Sequence, residues 1–88
     1  MKTILVSGSS SGIGLEICLQ ASDLGLNVLA ISRNIDPLKG ILNLNAHSVD
    51  ITNESQIEEY VKKITSENIK IDILINNAGF LIKDSFRD

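Results

Sequence analysis

The sequence predicts an α/β chain built on a parallel sheet, and three features carry that prediction. Short, nearly continuous apolar runs occur at Thr3 to Ser7, Asn27 to Ser32 and Ile71 to Asn76, which is how strands buried on both faces read. Segments with an apolar period of three to four residues lie between them, as in amphipathic helices. A glycine- and serine-rich turn, Gly8 to Gly14, joins the first apolar run to the first helical segment. Strands alternating with helices specify a parallel sheet whose crossovers pack on its faces.

Each element has its own signals. After the strand at Thr3 to Ser7, Ser9 to Gly12 forms a turn and a helix of about three turns follows. Its apolar face is read from Ile13, Ile17, Ala21 and Leu24, with Glu16, Gln20 and Asp23 off that face and Gly25 as its terminating glycine. Asn27 to Ser32 is the second strand, so residues 3 to 32 make one strand–helix–strand unit. Between Asn34 and Asn45, Pro37 favours a helical start but Gly40, Asn43 and Asn45 favour turns; a short helix or irregular loop is expected. Ala46 to Val49 is a weak third strand. Asn53 with Gln56 three residues on resembles a capping box, and Ile57, Tyr60, Val61 and Ile64 mark the buried face of the helix it opens. Ile71 to Asn76 is the fourth strand.

Composition excludes several classes. Eighty-eight residues allow one domain at most. With 8 Lys+Arg against 11 Asp+Glu the net charge is −3, the wrong sign for a protein that binds nucleic acid through phosphate neutralisation. One cysteine, Cys18, supports neither an internal disulfide framework nor a multi-cysteine metal site. The apolar run after Met1-Lys2 is too short for a signal peptide, and no run reaches membrane-spanning length. The expected location is cytoplasmic, with neither nucleic acid nor membrane as a partner and no metal site.

The chemistry concentrates at the ends of the strands. In Ser7-Gly8-Ser9-Ser10-Ser11-Gly12-Ile13-Gly14, glycines permit a tight turn and let a pyrophosphate approach the backbone, while the exposed N–H groups of the helix's first turn hold the anion. The spacing is G-x-x-x-G-x-G rather than G-x-G-x-x-G. About twenty residues on, a fold selecting NAD places an acid on the ribose. Here the second strand ends in Ser32-Arg33-Asn34, with no acid before Asp36. A hydroxyl followed by a guanidinium suits a 2′-phosphate, so NADP(H) is expected over NAD(H). Asp50, in Val49-Asp50-Ile51-Thr52, puts a carboxylate where an adenine amino group could donate to it. Asn76-Asn77-Ala78-Gly79 brings two amides and a glycine to the end of the fourth strand. Strand carboxyl ends are where open α/β sheets bind ligands.

These residues resemble the N-terminal part of a short-chain dehydrogenase/reductase. The glycine motif of that family, T-G-x-x-x-G-I-G, matches residues 7 to 14 with Ser7 in the place of threonine; Asp50-Ile51-Thr52 matches its adenine-contacting segment; and its N-N-A-G motif stands intact at 76 to 79. The resemblance implies a Rossmann-type partial domain of about four parallel strands in the order 3-2-1-4, with helices on both faces. It implies that Gly8, Ser10, Ser11, Gly12, Ile13 and Gly14 line a pyrophosphate, with Ser32 and Arg33 selecting NADP. Asp50 and Ile51 would contact adenine, Asn77, Ala78 and Gly79 would line the ribose side, and Asn76 would brace the sheet.

The family's reaction is hydride transfer between a nicotinamide and a carbonyl or alcohol carbon. It uses a serine, a Tyr-x-x-x-Lys pair and a further asparagine, all downstream of N-N-A-G. This sequence contains no such pair. Its one tyrosine, Tyr60, is followed four residues later by Ile64, and Tyr60 is read as a packing residue. Residues 1–88 are therefore expected to be the N-terminal, nucleotide-binding part of a larger domain without its catalytic residues. The alternative is an inactive fragment that keeps at most nucleotide binding or a partner-binding role. His47 and Cys18 are read as structural. Ile73, Leu74 and Ile75 would leave an apolar sheet edge open to self-association.

Overall fold

The computed structural model describes residues 1–10 and 12–77. Its sheet is built from β1 (Thr3–Ser7), β2 (Asn27–Ser32), β3 (Leu44–Ser48) and β4 (Ile73–Asn76), and its helices are α1 (Gly12–Asp23) and α2 (Glu54–Ser66). The four strands are parallel in the order β3-β2-β1-β4. This is the expected fold class and the expected order.

The sheet separates two apolar clusters, which explains why β1 and β2 read as continuous apolar runs. Ile4 and Val6 of β1, with Val28 and Ala30 of β2, pack with Cys18 and Ala21 of α1. The alternate residues Leu5, Leu29 and Ile31 pack with Ile57, Tyr60 and Ile64 of α2. Side chains alternate across a strand, so a strand covered on both faces must be apolar at every position. The loop from Asn34 to Asn45 condenses to a single 3-10 turn at Asp36–Leu38 that starts around Pro37. That turn tucks Leu38 into the cluster under α1.

Three details differ from the sequence reading. In α1 the buried positions are Gly14, Cys18 and Ala21, while Ile13 and Leu24 are 71% and 78% exposed. Ala21 is buried and Ile17 packs against the same cluster as expected, so the buried face is shifted toward Gly14 and Cys18 and away from Ile13, while Leu24 lies beyond the end of the helix. The cause of the shift is the contact of Gly14 with the glycine turn, described below. β3 begins at Leu44 rather than Ala46 because Leu44 and Asn45 already pair with Val28 and Leu29; an edge strand tolerates an asparagine whose side chain faces solvent. β4 is two residues shorter than expected. Asp72 precedes it as a clasp, its N–H donating to the Thr3 carbonyl and its carboxylate accepting the Thr3 N–H, both at 2.9 Å.

The start of α2 is a variant of the expected capping box. Asn53 accepts the N–H of Gln56 at 3.2 Å, as an Asx cap does. The Gln56 side chain, however, accepts from the N–H of Asp50 at 2.8 Å instead of from Asn53. The helix start is thereby tied to the loop that carries Asp50.

Candidate nucleotide-binding site

The β1–α1 turn reverses the chain at Gly8 and Gly12, both with positive φ (64° and 57°), a conformation that glycine adopts without a Cβ penalty. The Gly8 N–H donates to the Ile31 carbonyl at 3.1 Å, and the buried Ser9 hydroxyl donates to the same oxygen at 3.1 Å. The turn is thereby pinned to the end of β2. Gly14 lies directly under it, buried; a Cβ on Gly14 would come within 2.1 Å of the Gly8 oxygen. Its part is close packing of helix against turn, while Gly12 and Ile13 stand exposed at the start of α1.

At the carboxyl ends of the strands the structure gathers residues from three separate stretches of sequence. A cleft of about 440 Å³ is lined by Gly8 and Ser10 from the turn, Ser32 and Arg33 from the end of β2, and Asp50 and Ile51 from the loop after β3. Asn34, Val49 and Thr52 complete its walls. The Ser32 hydroxyl donates to the Ser10 hydroxyl at 2.8 Å, which joins the glycine turn to the strand end beside Arg33. Arg33 is exposed and makes no ion pair among the described residues.

Asp50 is held by its own loop. Its Oδ1 accepts the Thr52 hydroxyl at 2.6 Å and the Thr52 N–H at 2.9 Å. The hydroxyl bond first, then the amide bond, hold its carboxyl below the usual carboxylate range; desolvation opposes them, and the Arg33 cation adds the smallest share in their favour. The carboxylate is therefore an acceptor at neutral pH.

The end of β4 braces the turn from its other side. The Ser7 hydroxyl accepts the Asn77 N–H at 3.1 Å and lies 3.2 Å from Asn76 Oδ1, to which it donates. The Asn77 side-chain amide donates to the Gly8 carbonyl at 3.3 Å. Of the site residues expected from sequence, Ser11, Ala78 and Gly79 lie outside the described residues. Sequence reasoning missed Asn34, Val49 and Thr52 as lining residues; their signal was adjacency to Arg33 and Asp50.

The remaining candidates are structural. Tyr60 is 4% exposed in the core under α2, and burial raises its phenol above the ordinary tyrosine range. Cys18 is fully buried, and burial pushes its thiol up to about 11. The His47 ring sits 5.2 Å from that of Tyr60. Among the described residues no group of three or more His, Cys, Asp and Glu is placed to hold a metal ion, and no helix is long and apolar enough to cross a membrane.

A parallel sheet with a glycine turn at its centre and a cleft at its carboxyl edge defines a dinucleotide-binding fold. The short chain dehydrogenase family model matches residues 2–88; the chain belongs to that family. It is 39% identical over 83 residues to the 3-oxoacyl-(acyl-carrier-protein) reductase FabG of Buchnera aphidicola, covering 89% of this chain and 34% of that one. It is 30% identical over 90 residues to human retinol dehydrogenase 13, covering 91% and 27%. Among solved structures, a short-chain dehydrogenase from Streptomyces avermitilis superposes with a TM-score of 0.80 at 30% identity, covering 89% of this chain and 30% of that one. A 4-hydroxyisoleucine dehydrogenase complexed with NADH superposes with a TM-score of 0.78 at 30% identity, covering 90% and 34%. An actinorhodin polyketide ketoreductase with NADPH gives 0.75 at 30% identity, covering 89% and 33%. The chain spans about a third of the length of the relatives it matches.

Proposed function

We propose that this chain is the NADP(H)-binding part of a short-chain dehydrogenase/reductase acting on a carbonyl/alcohol pair. The observation that carries the reading is the placement of Arg33 beside Ser32 and Ser10 in the cleft, with no ion pair to an acid among the described residues. A guanidinium and hydroxyls suit a phosphate ester on the 2′-oxygen, where an acid would repel it. The donor set fits the rest of the dinucleotide as well. Gly8, Gly12, Ile13 and Gly14 shape the pyrophosphate side, with Ser11 added by family resemblance. Asp50 and Ile51 form the adenine side, and Asn77 faces the ribose side, joined by Ala78 and Gly79 through the family motif.

When bound, the nicotinamide supplies or accepts the hydride of the family's reaction. The residues of this chain bind and orient it: the turn holds phosphate oxygens, Arg33 selects the phosphorylated ribose, and Asp50 accepts from the base. None of the 88 residues supplies the Tyr-x-x-x-Lys pair, since Tyr60 is buried and Ile64 stands four positions on. That favours a second reading for these residues acting by themselves: nucleotide binding without turnover. A cytoplasmic location and self-association through the outer edge of β4 belong to the same proposal.

The test is a pair of fluorescence titrations with NADPH and NADH. Tighter binding of NADPH is expected, with the difference lost in Arg33→Ala. Equal affinities for the two would reject the role of Arg33, and absence of binding to a folded chain would reject the nucleotide site.

A further inference from the structure

We propose that the groove between β3 and α2 is a second ligand site, shaped for a small organic ammonium ion with an apolar body, and that its occupation is felt in the nucleotide cleft. The groove has a volume of about 650 Å³, more than the nucleotide cleft and within the usual range for small-molecule sites. From α2 it is lined by Gln56, Glu59, Tyr60 and Lys63, which recur at intervals of three and four residues and so share one helix face. His47 and Ser48 of β3, with Val49 after it, form the opposite wall.

The chemistry of the groove favours a cation. Its inner wall is apolar and aromatic: Val49 is buried, and the His47 and Tyr60 rings stand 5.2 Å apart. Desolvation, then the Lys63 charge, lower the His47 pKa from 6.5, so the ring is uncharged at neutral pH and does not repel a cation. At the rim Glu59 is exposed and makes no ion pair among the described residues, whereas Lys63 is already engaged by Glu67 at 3.5 Å. Those three side chains together carry a net negative charge. The Ser48 hydroxyl has its proton committed to the Arg33 carbonyl at 2.9 Å, which leaves its oxygen as an acceptor. An ammonium group is therefore drawn to Glu59, and an apolar body attached to it covers Val49 and the aromatic wall. A carboxylate of the same shape would meet Glu59 as a like charge.

Two hydrogen bonds and one shared side chain join the groove to the nucleotide cleft. The Gln56 side-chain oxygen accepts the Asp50 N–H at 2.8 Å, the Ser48 hydroxyl donates to the Arg33 carbonyl, and Val49 lines both cavities. A body seated in the groove packs on Gln56 and Ser48 and holds those bonds in place, so it favours the cleft geometry that takes the dinucleotide. This communication rests on the nucleotide-binding reading above; the groove site itself does not.

Tyr60 is the one tyrosine of a chain without tryptophan, so tyrosine emission reports on the groove. The full chain is titrated with phenethylamine, and with phenethyl alcohol and hydrocinnamate as its neutral and anionic counterparts. A saturable change in emission, with amide NMR shifts at Val49 and Glu59, is expected for the amine, weaker for the alcohol and weakest for the carboxylate. Glu59→Gln should weaken the amine about fivefold, the worth of an exposed ion pair. Glu58→Gln, the same change of charge at a residue that does not line the groove, should leave its affinity in place. With the amine saturating, NADPH should bind about fivefold tighter, the lower end of ordinary coupling between two sites, and NADPH should tighten the amine by the same factor. A folded chain in which the amine moves neither signal, equal binding of amine and carboxylate, or equal losses in Glu59→Gln and Glu58→Gln overturns the site. An NADPH affinity that ignores the amine overturns the communication and leaves the groove site standing. A folded wild type that binds the amine but not NADPH rejects the nucleotide reading instead, and the communication with it.

Discussion

A methyl group placed on Gly14 would sit 2.1 Å from the carbonyl oxygen of Gly8 and 3.0 Å from the Asn77 side-chain nitrogen. The first turn of α1 therefore rests on the peptide that the glycine turn presents, and the end of β4 meets both at one point. This contact sets the rotation of the helix, the height of the turn above the sheet and the position of the Gly8 N–H on Ile31.

Gly14→Ala should accordingly displace the turn, where Gly12→Ala should only strain it. The alanine at 14 has no space against backbone, and overpacking of this kind costs about 1–3 kcal/mol. At Gly12 nothing lies within 4 Å of a Cβ, but φ is +57°, which costs an L-residue about 1–2 kcal/mol. Stability alone would not separate the two variants. Hydrogen exchange of the Gly8 amide would, rising in Gly14→Ala as its bond to Ile31 is lost and staying near wild type in Gly12→Ala.

Ser7 joins two strands that are 69 residues apart in sequence. Its hydroxyl, fully buried, takes the Asn77 N–H and reaches Asn76. Ser7→Ala leaves that N–H without its acceptor, a loss of about 1–3 kcal/mol. Ser7→Thr, which keeps the hydroxyl, should lose less. The measurement is urea unfolding together with amide exchange in β4, where Leu74 to Asn76 should lose protection before β1 and β2 do.

The strands covered on both faces, and the gathering of polar residues at one edge of the sheet, were legible in the sequence because they depend on patterns that survive translation into side-chain type, whereas the strand order followed only from the family resemblance. Continuous apolar runs meant strands covered twice. Serine, arginine and aspartate at strand ends meant a shared edge. The rotation of α1 was not legible. Periodicity weighs side chains, and the residue that fixes the helix, Gly14, has none; its lack of a side chain is what brings helix and turn together, leaving Ile13 exposed. The link from Gln56 to Asp50 was hidden for a related reason. The capping pattern shows that Gln56 reaches back, but which N–H it finds depends on how the loop before Asn53 is folded.

Alkaline stability should fall in two overlapping steps. The thiol of Cys18 titrates near 9.0 when unfolded and is pushed up to about 11 by burial in the fold. Between those values the folded chain holds a proton that the unfolded chain has released, so stability falls as pH rises. The stabilisation is complete below pH 9.0 and lost by about 11, a change of about 3 kcal/mol at most. Burial raises the Tyr60 phenol as well, which extends the fall further into alkali. Urea midpoints from pH 8 to 11 should decline in wild type, and Cys18→Ala should flatten the first part of the decline. Thiol reagents should label Cys18 only in step with unfolding.

His47 predicts a slope of the same origin on the acid side. Its Nδ1 is buried without a hydrogen-bond partner, and its pKa is lowered from 6.5, by desolvation first and by the Lys63 charge second, with Glu67 opposing. The folded chain therefore resists taking up a proton that the unfolded chain accepts. Stability is fully present above pH 6.5 and declines as pH falls through the lowered folded value. His47→Phe should reduce that decline between pH 7 and 5, read from thermal midpoints. An unchanged slope would place the acid sensitivity on the carboxylates alone.

Among the described residues β4 pairs only with β1, and its outer edge carries backbone groups and the partly exposed Ile73, 37% accessible. An apolar strand with one open edge is a template for another strand. The chain should therefore associate with itself as concentration rises, seen by sedimentation. Ile73→Lys should reduce that association, because a lysine at an edge position keeps its charge in water and opposes a second strand. Leu24→Lys provides the control. Leu24 is more exposed than Ile73, at 78%, but lies beyond the end of α1 and not on the sheet. If association came from exposed apolar surface in general, Leu24→Lys would suppress it at least as well; if it runs through the β4 edge, only Ile73→Lys will. A wild-type chain that stays a cooperatively melting monomer across micromolar concentrations would remove the edge from consideration.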